Sequence, residues 1–156
     1  MKIVTLVNSP IAKRLREAES RSLLWRETPF VLAMPATRLY SECRAERGFA
    51  PRSVGAWGRS PHYEDDSEKI LVHGIIDCHF EENGKLILLD FKSDRIPEQI
   101  SLAEWAEKHR VQLEIYARAL GEATKKDVAE MLLYSFSRGE IISLDFLHNF
   151  KISDEG

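Results

Sequence analysis

The sequence predicts a mixed α/β (α+β) domain, one sheet flanked by helices. Three observations carry that reading. Asn83-Gly84 separates two apolar, β-branched runs, the strongest short signal for a β-hairpin. Leu113, Tyr116, Ala117 and Leu120 recur at helical spacing and define one buried stripe. Other strand-like and helix-like runs lie on both sides of these features. The resulting order is helix, strand, hairpin, helix, strand, strand.

The elements follow from local signals. Ser9 and Pro10 supply an N-cap and a first-turn proline for a helix through Glu19, with Ala12, Leu15 and Arg16 on one face. Arg26 to Met34 reads as a strand that ends at Pro35. From Tyr40 to Lys69 no period is sustained, and Gly48, Pro51, Gly55, Gly58 and Pro61 mark a long loop over 36–69. Arg38, Arg44, Arg47, Arg52 and Arg59 are followed there by the acidic run Glu64-Asp65-Asp66-Ser67-Glu68. A solvated insertion is the simpler reading of that loop, and contact with DNA is the other. Ile70 to Phe80 and Leu86 to Phe91 are the hairpin strands. Pro97 to Gly121 reads as loop plus helix, with Gly121 as a natural stop. Asp127 to Phe136 and Glu140 to Phe146 form two more strands about Ser137-Arg138-Gly139.

Composition narrows the class. The 156 residues suit a single domain with its own core, with no repeat and no low-complexity tract. A hydrophobic share of 44% and a charged share of 30% belong to a folded globular chain. The formal net charge of -3 gives no global positive field, although a local basic surface is compatible with it. Cys43 and Cys78 form no CxxC pair, which argues against a zinc ribbon and a thioredoxin-type centre. Cys78 is expected to pack as a small hydrophobe on the face opposite Asp77, and Cys43 to be a free thiol in the loop. Lys2 to Val7 is too short to span a membrane and nothing resembles a signal peptide, so a reducing cytoplasmic location with no membrane partner is expected. The chain has no GxxxxGK[ST] loop and is not expected to bind ATP itself.

The chemistry is expected at the hairpin. A two-residue Asn83-Gly84 loop sets Glu82 opposite Lys85, and counting back sets Asp77 opposite Asp90. Directly opposed residues have Cβ atoms roughly 4.5–5.5 Å apart, and like charges there repel. A cation between them removes the repulsion. Period-two alternation puts Lys92 on the same face as Asp90. Asp77, Asp90 and the Phe91 carbonyl are then candidate oxygen ligands of Mg²⁺, an ion that keeps several waters and binds few protein carboxylates. Lys92 is placed to orient a water or to neutralise a scissile phosphate, which suits in-line hydrolysis of a phosphodiester. The competing reading is an Asp77–Lys92–Asp90 surface ion-pair cluster, because a bare D…DxK triple arises often by chance. Gln112 and Tyr116, at i and i+4, face the same way on the following helix. Lys92-Ser93-Asp94-Arg95 adds a second cation, Arg95, just past the strand.

These segments together resemble a known family. Arg26-Glu27-Thr28-Pro29-Phe30, Gly74-Ile75-Ile76-Asp77, Leu89-Asp90-Phe91-Lys92-Ser93-Asp94-Arg95, the run Val111 to Leu120 with its Gln112-Leu113-Glu114-Ile115-Tyr116 core, and Tyr134 to Glu140 occur in the family's order. The chain resembles, from about Ser9 to Phe146, the C-terminal nuclease domain of AddA-type helicase/nucleases in the RecB-like branch of the PD-(D/E)XK superfamily. The resemblance implies a restriction-endonuclease-like mixed sheet flanked by helices. It implies Mg²⁺- or Mn²⁺-dependent exonucleolytic cleavage of single-stranded DNA ends, unwound by an attached ATP-driven helicase during double-strand break repair and recombination. An AddB-type partner subunit is implied with it. By the same resemblance Asp77, Asp90 and Lys92 are catalytic, Gln112 and Tyr116 form the family's QxxxY helix beside the site, and Glu27 takes a direct or supporting role. Arg95 is a candidate phosphate contact.

The sequence also departs from the family's pattern. The family carries a histidine on a helix upstream of the Glu27 strand, and no histidine precedes His62 here. The upstream helix and the helicase motors are therefore expected to be missing from this sequence. His62 and His109 do not fit the role, and His73 is expected to pack within its strand. This departure keeps open a catalytically silent DNA- or protein-binding module on the same fold. A Cas4-like enzyme would need an iron–sulfur set that two cysteines do not provide. A restriction-type enzyme would cut specific duplex sequences.

Overall fold

Strands β1 (Leu24–Pro35), β2 (Lys69–Glu82), β3 (Lys85–Lys92), β4 (Val128–Ser135) and β5 (Glu140–Leu144) form one mixed sheet in sequence order. Helices α1 (Lys2–Val7) and α2 (Pro10–Ser20) precede β1, and α3 (Leu102–Glu107) and α4 (Arg110–Thr124) connect β3 to β4. This computed structural model describes residues 2–35 and 69–144. The expected loop arginines, Cys43, His62 and the continuation of the last strand past Leu144 lie outside the described residues. The chain divides into two compact units, Met1–Thr28 with Ile75–Gly156, and Pro29–Gly74. The described part of the second unit consists of strand residues on which Val31 and Leu71 are exposed. His73, expected to pack, is also exposed, because the outward positions of this part of β2 are the odd-numbered ones.

The remaining description concerns the first unit. Ser9 caps α2 through its side-chain oxygen, which accepts from the Ala12 N–H, and Pro10 stands in the first turn. Of the residues expected on one face of α2, Ala12 is buried and Leu15 packs against the core, which Ile11 and Ala18 join, while Arg16 stays outside it. Arg16 is exposed and donates to the Val7 carbonyl. Asn83 and Gly84 both have positive φ (53° and 79°), the geometry of a type I′ turn. Glu82 pairs with Lys85 and Cys78 with Leu89, the register derived from the turn. β3 and β4 run parallel, with Lys92 beside Ser135, and β5 returns antiparallel to β4.

Between β3 and β4 the chain forms two helices where one was expected. A capping box at Ser101 and Glu104 starts α3: the Ser101 oxygen accepts from the Glu104 N–H, and the Glu104 carboxylate accepts from the Ser101 N–H. α4 continues through Gly121 and ends at Lys125 in the left-handed conformation (φ 58°). A glycine inside a helix costs about 1 kcal/mol relative to alanine, which burial of Leu120 and the Arg118–Glu122 pair (2.8 Å) offset.

The sheet has two different faces. On one, Cys78, Phe80, Ile87, Leu89, Leu132 and Tyr134 pack with Ile11 and Ala18 of α2 into a dry core. Arg14 ties α2 to the strand ends, reaching Glu82 at 2.7 and 3.1 Å and Glu130 at 3.0 Å, with its guanidinium 5.4 Å from the Phe80 ring centre. On the other face α4 lies against β3 and β4, and alternation turns Leu88, Asp90 and Lys92 towards that side.

Candidate active site

Asp77 and Asp90 meet because the turn dictates the register. Glu82↔Lys85 closes the hairpin as a hydrogen-bonded pair, and alternation from there makes the Asp77/Asp90 position a non-hydrogen-bonded one, where side chains approach most closely. The ladder stops at Cys78↔Leu89, one step short of the aspartates. In place of the next ladder bond, the Phe91 N–H donates to Asp77 Oδ2 at 3.1 Å. An extended residue points its N–H and C=O to the same neighbouring strand. The Phe91 carbonyl is therefore directed to the side from which Asp77 reaches in.

Asp90 is 2% exposed. Burial raises its carboxyl above the ordinary aspartate value, the Lys92 ammonium works in the opposite sense, and the Asp77 carboxylate raises it further. Lys92 Nζ stands 2.8 Å from Asp90 Oδ2. Its aligned hydrogen bond goes elsewhere, to Gln112 Oε1 at 2.7 Å. Asp90 Oδ2 thus has the Lys92 ammonium beside it and, among the described residues, no other donor, which leaves a buried carboxylate with acceptor capacity to spare. The chain of contacts continues as Gln112 Nε2 donates to Tyr116 Oη at 2.7 Å. β3 and α4 so place four polar side chains in one connected chain, Asp90, Lys92, Gln112 and Tyr116, and Asp77 of β2 stands beside them on the Phe91 N–H, close enough for its charge to act on Asp90.

The other expected residues stand apart from that group. Glu27 is exposed within β1 with a positive φ of 50°, and among the described residues no hydrogen bond or ion pair joins it to the group. Arg95 is exposed beyond the end of β3, on the wall of a groove. His109 is the residue before α4, 4.0 Å from Asp94.

Three further residues, Asp94 of the Lys92-Ser93-Asp94-Arg95 run and two with no role expected from sequence, lie around the site. Asp94 accepts from Trp105 Nε1 at 2.6 Å and so fastens the segment after Lys92 to α3. Ser135 is fully buried beside Lys92 in the β3–β4 register. His79 shares the face of Asp77, is buried, faces Thr28 Oγ1 at 3.0 Å and stacks on Trp25 at 5.1 Å. Burial lowers its pKa. Alternation from Asp77 was the signal for His79, whereas the Asp94–Trp105 contact leaves no trace in spacing.

The residues fit a divalent cation. Two carboxylates approach each other, one of them buried with only the Lys92 ammonium beside it among the described residues, and a carbonyl is directed to the same side. Among the described residues no three His, Cys, Asp or Glu side chains form a full cage. A hard cation that retains its waters does not need one.

Comparison with known proteins decides the family. Residues 5–150 match the PD-(D/E)XK nuclease superfamily. The chain belongs to that superfamily. Its mixed sheet flanked by helices is the restriction-endonuclease-like fold. It is similar to an ATP-dependent helicase/nuclease subunit of Clostridium kluyveri, with 36% identity over 143 residues, covering 92% of this chain and 10% of the relative. The corresponding protein of Ruminiclostridium cellulolyticum is 34% identical over 146 residues, covering 92% and 10%. That of Clostridium novyi is 38% identical over 135 residues, covering 86% and 9%. The chain spans about a tenth of the length of these relatives. No helix among the described residues is long and apolar enough to cross a membrane.

Proposed function

We propose that this chain is the metal-dependent deoxyribonuclease domain of an AddA-type helicase/nuclease, acting on single-stranded DNA ends in double-strand break repair and recombination. The observation that carries the reading is the convergence of Asp77, Asp90 and Lys92, with Lys92 held by Gln112. Asp77, Asp90 and the Phe91 carbonyl would hold Mg²⁺ or Mn²⁺. When bound, such an ion supplies Lewis-acid polarisation of the phosphate and an activated water. The chain's own residues do the positioning. Asp90 is held in a low-dielectric position beside a second carboxylate, which favours a cation over solvent. Lys92 presents an ammonium whose direction is set by Gln112, and through it by Tyr116, so that it meets charge developing on the transferring phosphoryl group. The similarity to ATP-dependent helicase/nucleases supports a DNA substrate delivered by a motor, a cytoplasmic setting and an AddB-type partner.

End-labelled single-stranded DNA with Mg²⁺ or Mn²⁺ tests the reading. Wild-type protein should cut, EDTA should stop it, and Asp90→Ala and Lys92→Ala should each lose about 10²-fold or more, the size expected for a lost electrostatic contact in a transition state. Equal cleavage by all three proteins would remove the site assignment. The absence of a histidine before His62 favours a second reading, a silent DNA- or protein-binding module, and retained DNA binding without cleavage by any of the proteins would select it.

A further inference from the structure

Just past Lys92 the structure holds a groove that the proposed chemistry does not use. It has a volume of about 630 Å³ and lies between the segment after β3 and the turn after β4. Its walls carry Arg95, Arg138, Phe136, Ser93 and Glu98. β3 and β4 are parallel, and the groove lies at their carboxyl ends, where ligands of such strands commonly bind.

The groove is built rather than incidental. The Phe136 N–H donates to the Lys92 carbonyl at 2.9 Å, so its wall is joined directly to the residue proposed for catalysis. The two rims are tied together: the Ile96 N–H donates to Ser137 Oγ at 3.4 Å, and Arg138 Nη2 reaches the Pro97 carbonyl at 3.5 Å. The Gly139 N–H closes the β4–β5 turn on the Ser135 carbonyl at 2.8 Å. Phe136 is half-buried at the edge of the α2-side core, where Phe91 at 5.9 Å and Tyr134 at 5.2 Å fix its ring and leave part of it to the groove. Arg95 is exposed and meets no carboxylate among the described residues, and Arg138 is exposed with only the Pro97 contact on its guanidinium among them. Glu98 offsets one of the two charges, so one positive charge remains.

Two guanidiniums with an aromatic ring between fixed walls are the elements with which proteins hold single-stranded nucleic acid. Arginines take phosphates, and a ring stacks on a base of any identity. The volume lies within the range of pockets that hold one small organic ligand, roughly 300–1,000 Å³. It suits nucleotides of one strand, not a duplex. We infer that the groove is a strand-holding subsite at the carboxyl end of the strand that carries Lys92, with Arg95 and Arg138 on consecutive phosphates and the accessible part of Phe136 under a base. This rests on the nuclease reading above and adds to it where the uncut strand lies.

The test is fluorescence anisotropy of a short labelled oligothymidylate across a potassium chloride series, in Ca²⁺ and in EDTA. The full chain is compared with Arg95→Ala/Arg138→Ala and with Phe136→Leu, each checked by circular dichroism. The double variant should bind about tenfold more weakly, and its salt slope should fall by about 1.4, two phosphate contacts on a single strand. A structural role for these exposed arginines would leave that slope unchanged. Phe136→Leu, which keeps apolar bulk against Phe91, should bind about tenfold more weakly with the salt slope intact. Its defect should vanish on an abasic strand while that of the arginine pair persists. Wild-type binding and cleavage with affinity and slope unaltered in the double variant would overturn the subsite alone. No binding and no cleavage by the wild type would overturn the subsite together with the nuclease reading.

Discussion

The two faces of β3 differ more than any other pair of regions in the first unit. Leu89 and Ile87 face α2 in a core of apolar side chains closed by the Tyr134 ring, while Asp90 and Lys92, their immediate neighbours, face α4 in a chain of polar contacts. Alternation alone allows one strand to serve both purposes. The dry face fixes the register, because a slip by one residue would drive Asp90 into the core and Leu89 out of it. The polar face spends that rigidity on function: a buried carboxylate beside a second one is a liability for stability and an asset for holding a cation. Cys78 and Asp77 repeat the contrast on β2. Burial pushes the Cys78 thiol up to about 11, so it is an inert packing group next to a candidate ligand.

The contrast can be broken by substitution. The largest effect is expected from Leu89→Ala, which should cost about 2–5 kcal/mol in urea unfolding while cleavage per folded molecule persists. Lys92→Ala should do the reverse, lowering cleavage about 10²–10³-fold, or about 2.7–4 kcal/mol of transition-state stabilisation, with the unfolding midpoint near that of the wild type. Loss of both properties in both variants would dissolve the distinction between the faces. Arg14→Ala tests how the dry face is tied down, and about 1–2 kcal/mol of stability should be lost, allowing for the partial exposure of the network. Gln112→Ala should lower kcat about tenfold and leave KM unchanged, as expected if Gln112 orients the ammonium and does not hold DNA. A change confined to KM would assign it to binding. The smallest effect sharpens the β2 contrast: in native protein, mass mapping should find the Cys78 peptide unmodified by iodoacetamide, and its alkylation before unfolding would show an open core.

The parts of the fold legible in the sequence were those fixed locally. Asn83-Gly84 dictates a turn geometry, and that geometry sets every pair to Cys78↔Leu89 and the approach of Asp77 to Asp90. Ser9-Pro10 likewise fixes the start of α2. The helix α1 was not legible. Lys2 to Val7 is rich in β-branched residues that disfavour helix, and its packing comes from distant parts of the chain. Leu6 joins the α2 core, and Thr5 sits where a Cβ on Gly139 (φ 73°) would come within 3.3 Å. The division of the β3–β4 connection into two helices was written in the Ser101–Glu104 box but masked by the stronger stripe of α4. In the candidate site, alternation was enough to bring Lys92 to Asp90. The Lys92–Gln112 bond joins residues on a strand and a helix, and only the packing of α4 on the sheet creates it.

The central claim is that Asp77 and Asp90 together form a cation site. Isothermal titration of Mn²⁺ into the full chain tests it without relying on cleavage. The account predicts one binding event in the wild type that is lost in Asp77→Asn and in Asp90→Asn. Unchanged Mn²⁺ binding in both variants would contradict it.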